Sequence, residues 1–192
     1  KGTKIGGYKM KKSYIIISLI VILILIIVGS YNSLIRLDEG VNSKWAQVEN
    51  QLKRRADLIP NLVNTVKGYA NHEKEVLVNV IEARNKLVKA NTPKEYAKAN
   101  SELDKALSQI NVVVERYPEL KANKNFSELQ YELAGTENRL SVARMDYNDI
   151  VKKYNSKVRK FPSNIIANMF GFNEHEYFEI DEKDTELPEV KF

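Results

Sequence analysis

Cysteine is absent from the 192 residues, which excludes disulfides, thiolate metal sites and cysteine nucleophiles. Histidine is nearly absent: His72 and His175 lie about a hundred residues apart, so a His-rich metal centre within one chain is not expected. Eight Gly and five Pro are too few for a many-turned β architecture, because every hairpin needs its turn residues. No stretch of polar and apolar residues alternates convincingly with period two. No basic stripe interleaved with aromatics stands out either, so the net charge of +5 does not translate into a nucleic-acid partner. That charge is unevenly distributed. Residues 174–192 hold eight acids against Lys183 and Lys191, leaving the remainder at +11, and lysines crowd the N-terminus. A chain of this length suits one domain plus a membrane segment.

What the chain does have is a long uncharged run. Between Lys12 and Arg36 lie 23 residues without a charge, and Ile15–Val28 is almost wholly branched aliphatic. A helix needs about 20 apolar residues to cross a bilayer core. The run therefore reads as a span over 13–31, with Tyr14 and Tyr31 at its two interfaces. Gly29-Ser30-Tyr31-Asn32 offers no clear A-x-A cleavage site, so the span reads as an uncleaved signal anchor. Lys9, Lys11 and Lys12 outweigh Arg36 and Lys44 across it, although Lys53-Arg54-Arg55 follow further on. The bias orients the N-terminus to the cytoplasm and the C-terminal part outside it. Residues 1–12 form an N-terminal tail. Within it Ile5-Gly6-Gly7-Tyr8-Lys9-Met10 can be back-translated into a ribosome-binding element before a start codon, so 1–9 read as a mis-called start.

Beyond the span, apolar residues recur at alternating three and four, the period of a helix facing a core. The clearest set is Phe126, Leu129, Leu133, Leu140, Ala143, Tyr147, Ile150 and Tyr154, interrupted by Thr136. The fold class is all-α: an N-terminal transmembrane helix followed by a long antiparallel, four-helix-like bundle over 32–172, then an acidic tail over 173–192. Pro60 is expected to end or kink the first helix, and Gly40 is the weak point between span and bundle. Thr92-Pro93-Lys94-Glu95 offers a cap, a first-turn proline and a capping-box glutamate. Pro118 stops the next helix, and Asn125-Phe126-Ser127-Glu128 is expected to cap the longest one.

Several blocks resemble the LemA family. They are Trp45-Ala46-Gln47-Val48-Glu49-Asn50-Gln51-Leu52-Lys53-Arg54-Arg55-Ala56-Asp57-Leu58-Ile59-Pro60-Asn61-Leu62-Val63, then Val66-Lys67-Gly68-Tyr69-Ala70 and Tyr117-Pro118-Glu119-Leu120-Lys121-Ala122-Asn123. Leu133-Ala134-Gly135-Thr136-Glu137-Asn138-Arg139, Ala143-Arg144-Met145-Asp146-Tyr147-Asn148 and Phe161-Pro162-Ser163-Asn164 continue the likeness, which covers about residues 30–180. The resemblance implies a bacterial protein anchored by one N-terminal helix and folded as a helical bundle, in a family for which no catalytic activity is established; neither an enzyme nor a cofactor is expected. The resemblance also implies envelope partners, among them a membrane metalloprotease or a TPM-domain protein, beside the lipid bilayer itself; self-association is left open.

Candidate sites are few. His72-Glu73 lacks the second histidine of a zinc motif, since position 76 is Val, and reads as a polar surface pair. His175 sits among acids and reads as part of a solvated tail. Lys53, Arg54 and Arg55 are the densest basic cluster, either plain surface charge or a contact for an anionic lipid or acidic partner. Arg139 and Arg144 fall beside a seam of Gly135, Thr136 and Asn138 and read as an inter-helix network with Glu137 or Asp146, while Gly135 either allows close helix approach or lines a contact surface. The uncharged segment 161–172 is the least repetitive feature. Its Phe161, Ile165, Ile166, Met169, Phe170 and Phe172 either close the bundle end or dock a membrane or partner. The expected function is that of a non-enzymatic, membrane-anchored scaffold of the bacterial envelope, with regulation of a membrane protease as the alternative.

Overall fold

The computed structural model describes residues 6–179. The expected upstream extension lies largely outside these residues, and the acidic stretch from 180 onward lies wholly outside them. Every regular element among the described residues is a helix: α1 Gly6–Tyr69, α2 Lys74–Lys89, α3 Pro93–Arg116, α4 Pro118–Lys121, α5 Lys124–Arg159 and α6 Ser163–Phe170. This is an all-α fold with one N-terminal apolar helix and several helices forming a bundle.

α1 departs from the expected breaks. It runs through Gly40 and through Pro60 without interruption. A proline inside a helix has no N–H to give to the carbonyl four residues back. Here that carbonyl belongs to Ala56, and the Nε of Arg84 on α2 donates to it at 3.3 Å. The orphaned acceptor is thus satisfied from a neighbouring helix, and α1 continues to Tyr69. Its first part is long and apolar enough to cross a membrane. The large apolar side chains from Tyr14 through Ile26 are exposed, as lipid-facing residues are.

The other helix ends follow local chemistry. Thr92 Oγ1 accepts the N–H of Glu95 at 3.2 Å, and Glu95 in return accepts the N–H of Asn91 at 2.8 Å. The cap of α5 is Asn123 rather than Asn125: its Oδ1 accepts the N–H of Phe126 at 2.9 Å. α4 fills the connection after Pro118, and with Asn123 as its cap α5 begins at Lys124, two residues before Phe126, the first of its apolar stripe.

The chain divides into two compact units. One takes in residues up to Gly40 together with Lys152–His175. Its core contains Leu34, Tyr154, Val158, Ile166 and Ala167, and Gly171 closes α6 in the left-handed conformation at φ 76°. The other takes in Val41–Val151 and the residues from Glu176 on. Its core is built from Leu52, Ile59 and Leu62 of α1, Val80 and Leu87 of α2, Leu103 and Ile110 of α3, and Leu133 and Leu140 of α5. Trp45 adds an aromatic cluster there, its ring 5.1 Å from Tyr147 and 5.5 Å from Tyr96.

Candidate functional site

The second unit carries a charged layer inside its apolar core. Arg55 of α1 is 4% exposed. Its Nη1 donates to Asn100 Oδ1 at 2.8 Å and to Glu137, and its Nη2 pairs with Asp104. Asn100 Nδ2 donates onward to Asp104 at 3.2 Å. Glu137 is shared, because Arg144 also donates to it at 3.3 Å. The Arg144 guanidinium lies 5.7 Å from the centroid of the Phe178 ring, a cation–π arrangement. The Nε of Arg55 is buried without a partner. A cleft of about 260 Å³ opens beside this layer, lined by Asn100, Asp104, Arg144 and Phe178. Thr136, the polar interruption in the α5 stripe, is buried and returns its hydroxyl to Leu133 O at 2.7 Å.

This arrangement separates the members of the basic cluster. Arg55 is turned into the core and neutralised there, so it is not a contact for an outside anion. Arg54 pairs with Glu132 at 2.8 Å, and Lys53 lines a cleft with Glu49, Asp57 and Arg84. The physical reason is the one the helix imposes: consecutive residues point in different directions. The Arg144–Glu137 pair joins the network, while Lys44 takes Asp146 at 2.7 Å and Arg139 donates to Gln51 at 3.1 Å. Gly135 faces no neighbouring backbone; a Cβ there would meet only the Arg139 guanidinium, at 3.2 Å. Close helix approach does not need it.

A feature that the sequence reading missed lies on α5. Tyr147-Asn148 recurs seven residues later as Tyr154-Asn155, and each pair holds a piece of the C-terminal strand of chain. In the first unit, Asn155 Nδ2 donates to His175 O and its Oδ1 accepts the His175 N–H, both at 2.9 Å. The His175 ring rests 4.8 Å from that of Tyr154, and its Nε2 lies 2.7 Å from Asp38. In the second unit, Asn148 exchanges the same two bonds with Phe178, at 3.1 and 2.9 Å, and Tyr147 Oη donates to Glu176 O at 2.8 Å. His175 is therefore a half-buried, doubly held residue and not part of a solvated tail. An amide side chain presents a donor and an acceptor side by side, matching the N–H and C=O of one backbone residue. Burial, then the charge of Glu176, pushes Tyr147 up to about 12. Burial, then Asp38, pushes Tyr154 up to about 12 as well.

The remaining candidates are quickly placed. His72 is exposed, and Glu73 is spent on Arg116 at 3.1 Å and on the Tyr117 hydroxyl at 3.4 Å. Among the described residues no group of three His, Cys, Asp or Glu is placed to hold a metal ion. Segment 161–172 is split. Ile166 and Ala167 are buried, and Phe170 and Phe172 put their rings 4.7 and 5.8 Å from Tyr31. Phe161, Ile165 and Met169 stay exposed.

These observations define a class, the membrane-anchored helical bundle whose polar core is devoted to holding helices together. The chain belongs to the LemA family, whose profile matches residues 44–192. It is 26% identical over 168 residues to Protein LemA of Metamycoplasma hominis, covering 85% of this chain and 77% of that protein. It is 25% identical over 175 residues to Magnetosome protein MamQ 2 of Paramagnetospirillum magneticum, and 23% identical over 174 to Magnetosome protein MamQ of Magnetospirillum gryphiswaldense. These alignments cover 78% and 77% of this chain, and 64% of each of the two MamQ proteins.

Proposed function

We propose that the chain is a non-enzymatic scaffold that holds other proteins of the bacterial envelope at the membrane through the faces of a four-helix-like, antiparallel bundle. One observation carries the reading. A groove of about 810 Å³ on the second unit is lined by Val63, Leu77, Val78 and Ile81 and bordered by Lys67, Lys74, Asn71 and the single acid Glu82. An apolar floor with basic residues at its border suits an amphipathic helix with acidic flanks, laid apolar face down. The buried charges support the same reading, because the Arg55 carboxylate partners are engaged in holding three helices together. Placing the bundle outside the cytoplasm belongs to this proposal, as do a membrane metalloprotease or TPM-domain protein as the partner.

The test is site-specific photo-crosslinking in living cells at Val78, which is 53% exposed. A discrete adduct with an envelope protein, lost in a Lys67→Glu, Lys74→Glu variant, is the expected result. Absence of any protein adduct from a folded, membrane-inserted chain overturns the groove as the contact. Regulation of a membrane protease is the second reading, favoured by the sharing of Glu137 between Arg55 and Arg144, which offers the layer two alternative pairings. It requires proteolysis by that enzyme to change when the chain is deleted and to be restored by the intact chain.

A further inference from the structure

The first unit contains an apolar surface that its own packing leaves uncovered. α6 carries no charged residue. One side is used: Ile166 and Ala167 are buried against the unit. The other side presents Ile165 at 55% and Met169 at 61% exposure, and Phe161, just ahead of the helix, is 74% exposed. Ile165 and Met169 are spaced by four within α6, so they fall along one stripe.

The position of this stripe along α1 identifies what covers it. From Ser13 through Ile26 α1 is exposed on all sides, and packing begins at Ile27, Ser30 and Tyr31. A bilayer hydrocarbon core is about 30 Å thick, which a helix crosses in about 20 residues. A span that begins near Ser13 therefore reaches the far boundary close to Tyr31. Tyr31 is the residue on which α6 is fixed, through Phe170 and Phe172 at 4.7 and 5.8 Å. Tyrosine itself favours that boundary. Exposed charge lies nearby in the chain: Lys160 just ahead of α6, Arg159 beside it and within 3.7 Å of Glu174, and Arg36 five residues beyond Tyr31 on α1.

We infer that α6 is an interfacial helix, its Ile165–Met169 face and the preceding Phe161 immersed in the acyl–headgroup boundary of the leaflet at which α1 leaves the membrane, with nearby Arg36 and Lys160 on anionic headgroups. The bilayer is thus a ligand of α6 as well as the solvent of α1. The exposed apolar surface of the span continues into that of α6, and a lipid surface covers both without a second protein. The inference rests on α1 being a span, which the experiment reads separately.

The chain has no cysteine, so single cysteines at Ile165, Met169 and Leu23 each give one labelling site on the full chain. Each variant is labelled with the environment-sensitive probe NBD and reconstituted in phosphatidylcholine–phosphatidylglycerol vesicles, with and without doxyl-labelled phosphatidylcholine. The expected result is doxyl quenching at 165 and 169 of at least half that at 23, with iodide quenching several-fold below that of the free probe. Full iodide quenching at 165 and 169, with Leu23 still quenched by doxyl lipid, overturns the interfacial helix and leaves the span standing. Loss of doxyl quenching at all three sites overturns both. Protection from both quenchers that disappears when the protein is diluted in lipid identifies a second copy as the cover and overturns the lipid assignment. Two probe positions, both on exposed side chains, guard against one label disturbing the fold, and circular dichroism checks helicity.

Discussion

Arg55 gives up its hydration for three partners, and a buried guanidinium is stabilising only while its countercharges stay in place. Asp104 and Glu137 supply them. Removing both, Asp104→Ala with Glu137→Ala, strands the positive charge and is expected to cost about 3 kcal/mol in urea unfolding. Arg55→Met removes the charge and leaves two acids that water can reach, but the buried Asn100 Oδ1 loses its donor, so the expected cost is about 1–2 kcal/mol by the same measurement, below that of the double variant. The two clamping tyrosines make a pH prediction. Both are held near 12 in the folded chain, against an ordinary value of 10. Below pH 10 both states keep the phenol protonated and nothing is lost. Above it the unfolded chain ionises while the folded chain resists, so stability falls progressively between pH 10 and about 12. The loss is on the order of 1–3 kcal/mol for each tyrosine. Denaturant midpoints across that window check it, and Tyr147→Phe or Tyr154→Phe flattens the slope. None of this was legible from residue type alone. Arg55 sits in a basic run and looks like surface; only its distant partners Asn100, Asp104 and Glu137 turn it inward.

Elements were legible where their cause is local. The three-and-four spacing places α3 and α5, and the Thr92–Glu95 reciprocity fixes the start of α3; the run Ile59–Leu87 reads as one helix, whereas α1 ends at Tyr69 and α2 starts at Lys74. Thr92→Ala is expected to cost about 1 kcal/mol, with faster hydrogen exchange confined to the first turn of α3. α1 beyond Pro60 was not legible, because what lets it continue is Arg84, 28 residues away on another helix. That cause is testable as a cycle. Arg84→Ala leaves the Ala56 carbonyl unpaired and is expected to cost about 1 kcal/mol. In a Pro60→Ala background the backbone N–H returns to that carbonyl, and most of the Arg84→Ala penalty disappears. Additive effects of the two substitutions would show that Arg84 does not sustain the helix. The Tyr-Asn repeat on α5 was visible as spacing but not as purpose, since an asparagine in an apolar stripe declares that it needs a partner without naming one.

At the scale of the whole molecule, the uncharged run and the flanking lysines made the anchor legible, and the LemA family match confirms the class of protein. Orientation is a proposal with its own test. Ser141→Cys on the exposed side of α5 is expected to react with an impermeant thiol reagent in intact cells; labelling only after lysis reverses the orientation. The paired asparagines bear also on the order in which the protein is made. α5 leaves the ribosome before residues 173–179 do, at roughly 5–20 residues per second. Until those residues emerge, Asn148 and Asn155 have no backbone to grip, and Tyr147 and Tyr154 lack their covering strand. The helices can therefore assemble before residues 173–179 are available, but α5 is completed only once they emerge, and a product stopped ahead of them exposes the polar atoms of Tyr147, Asn148 and Asn155.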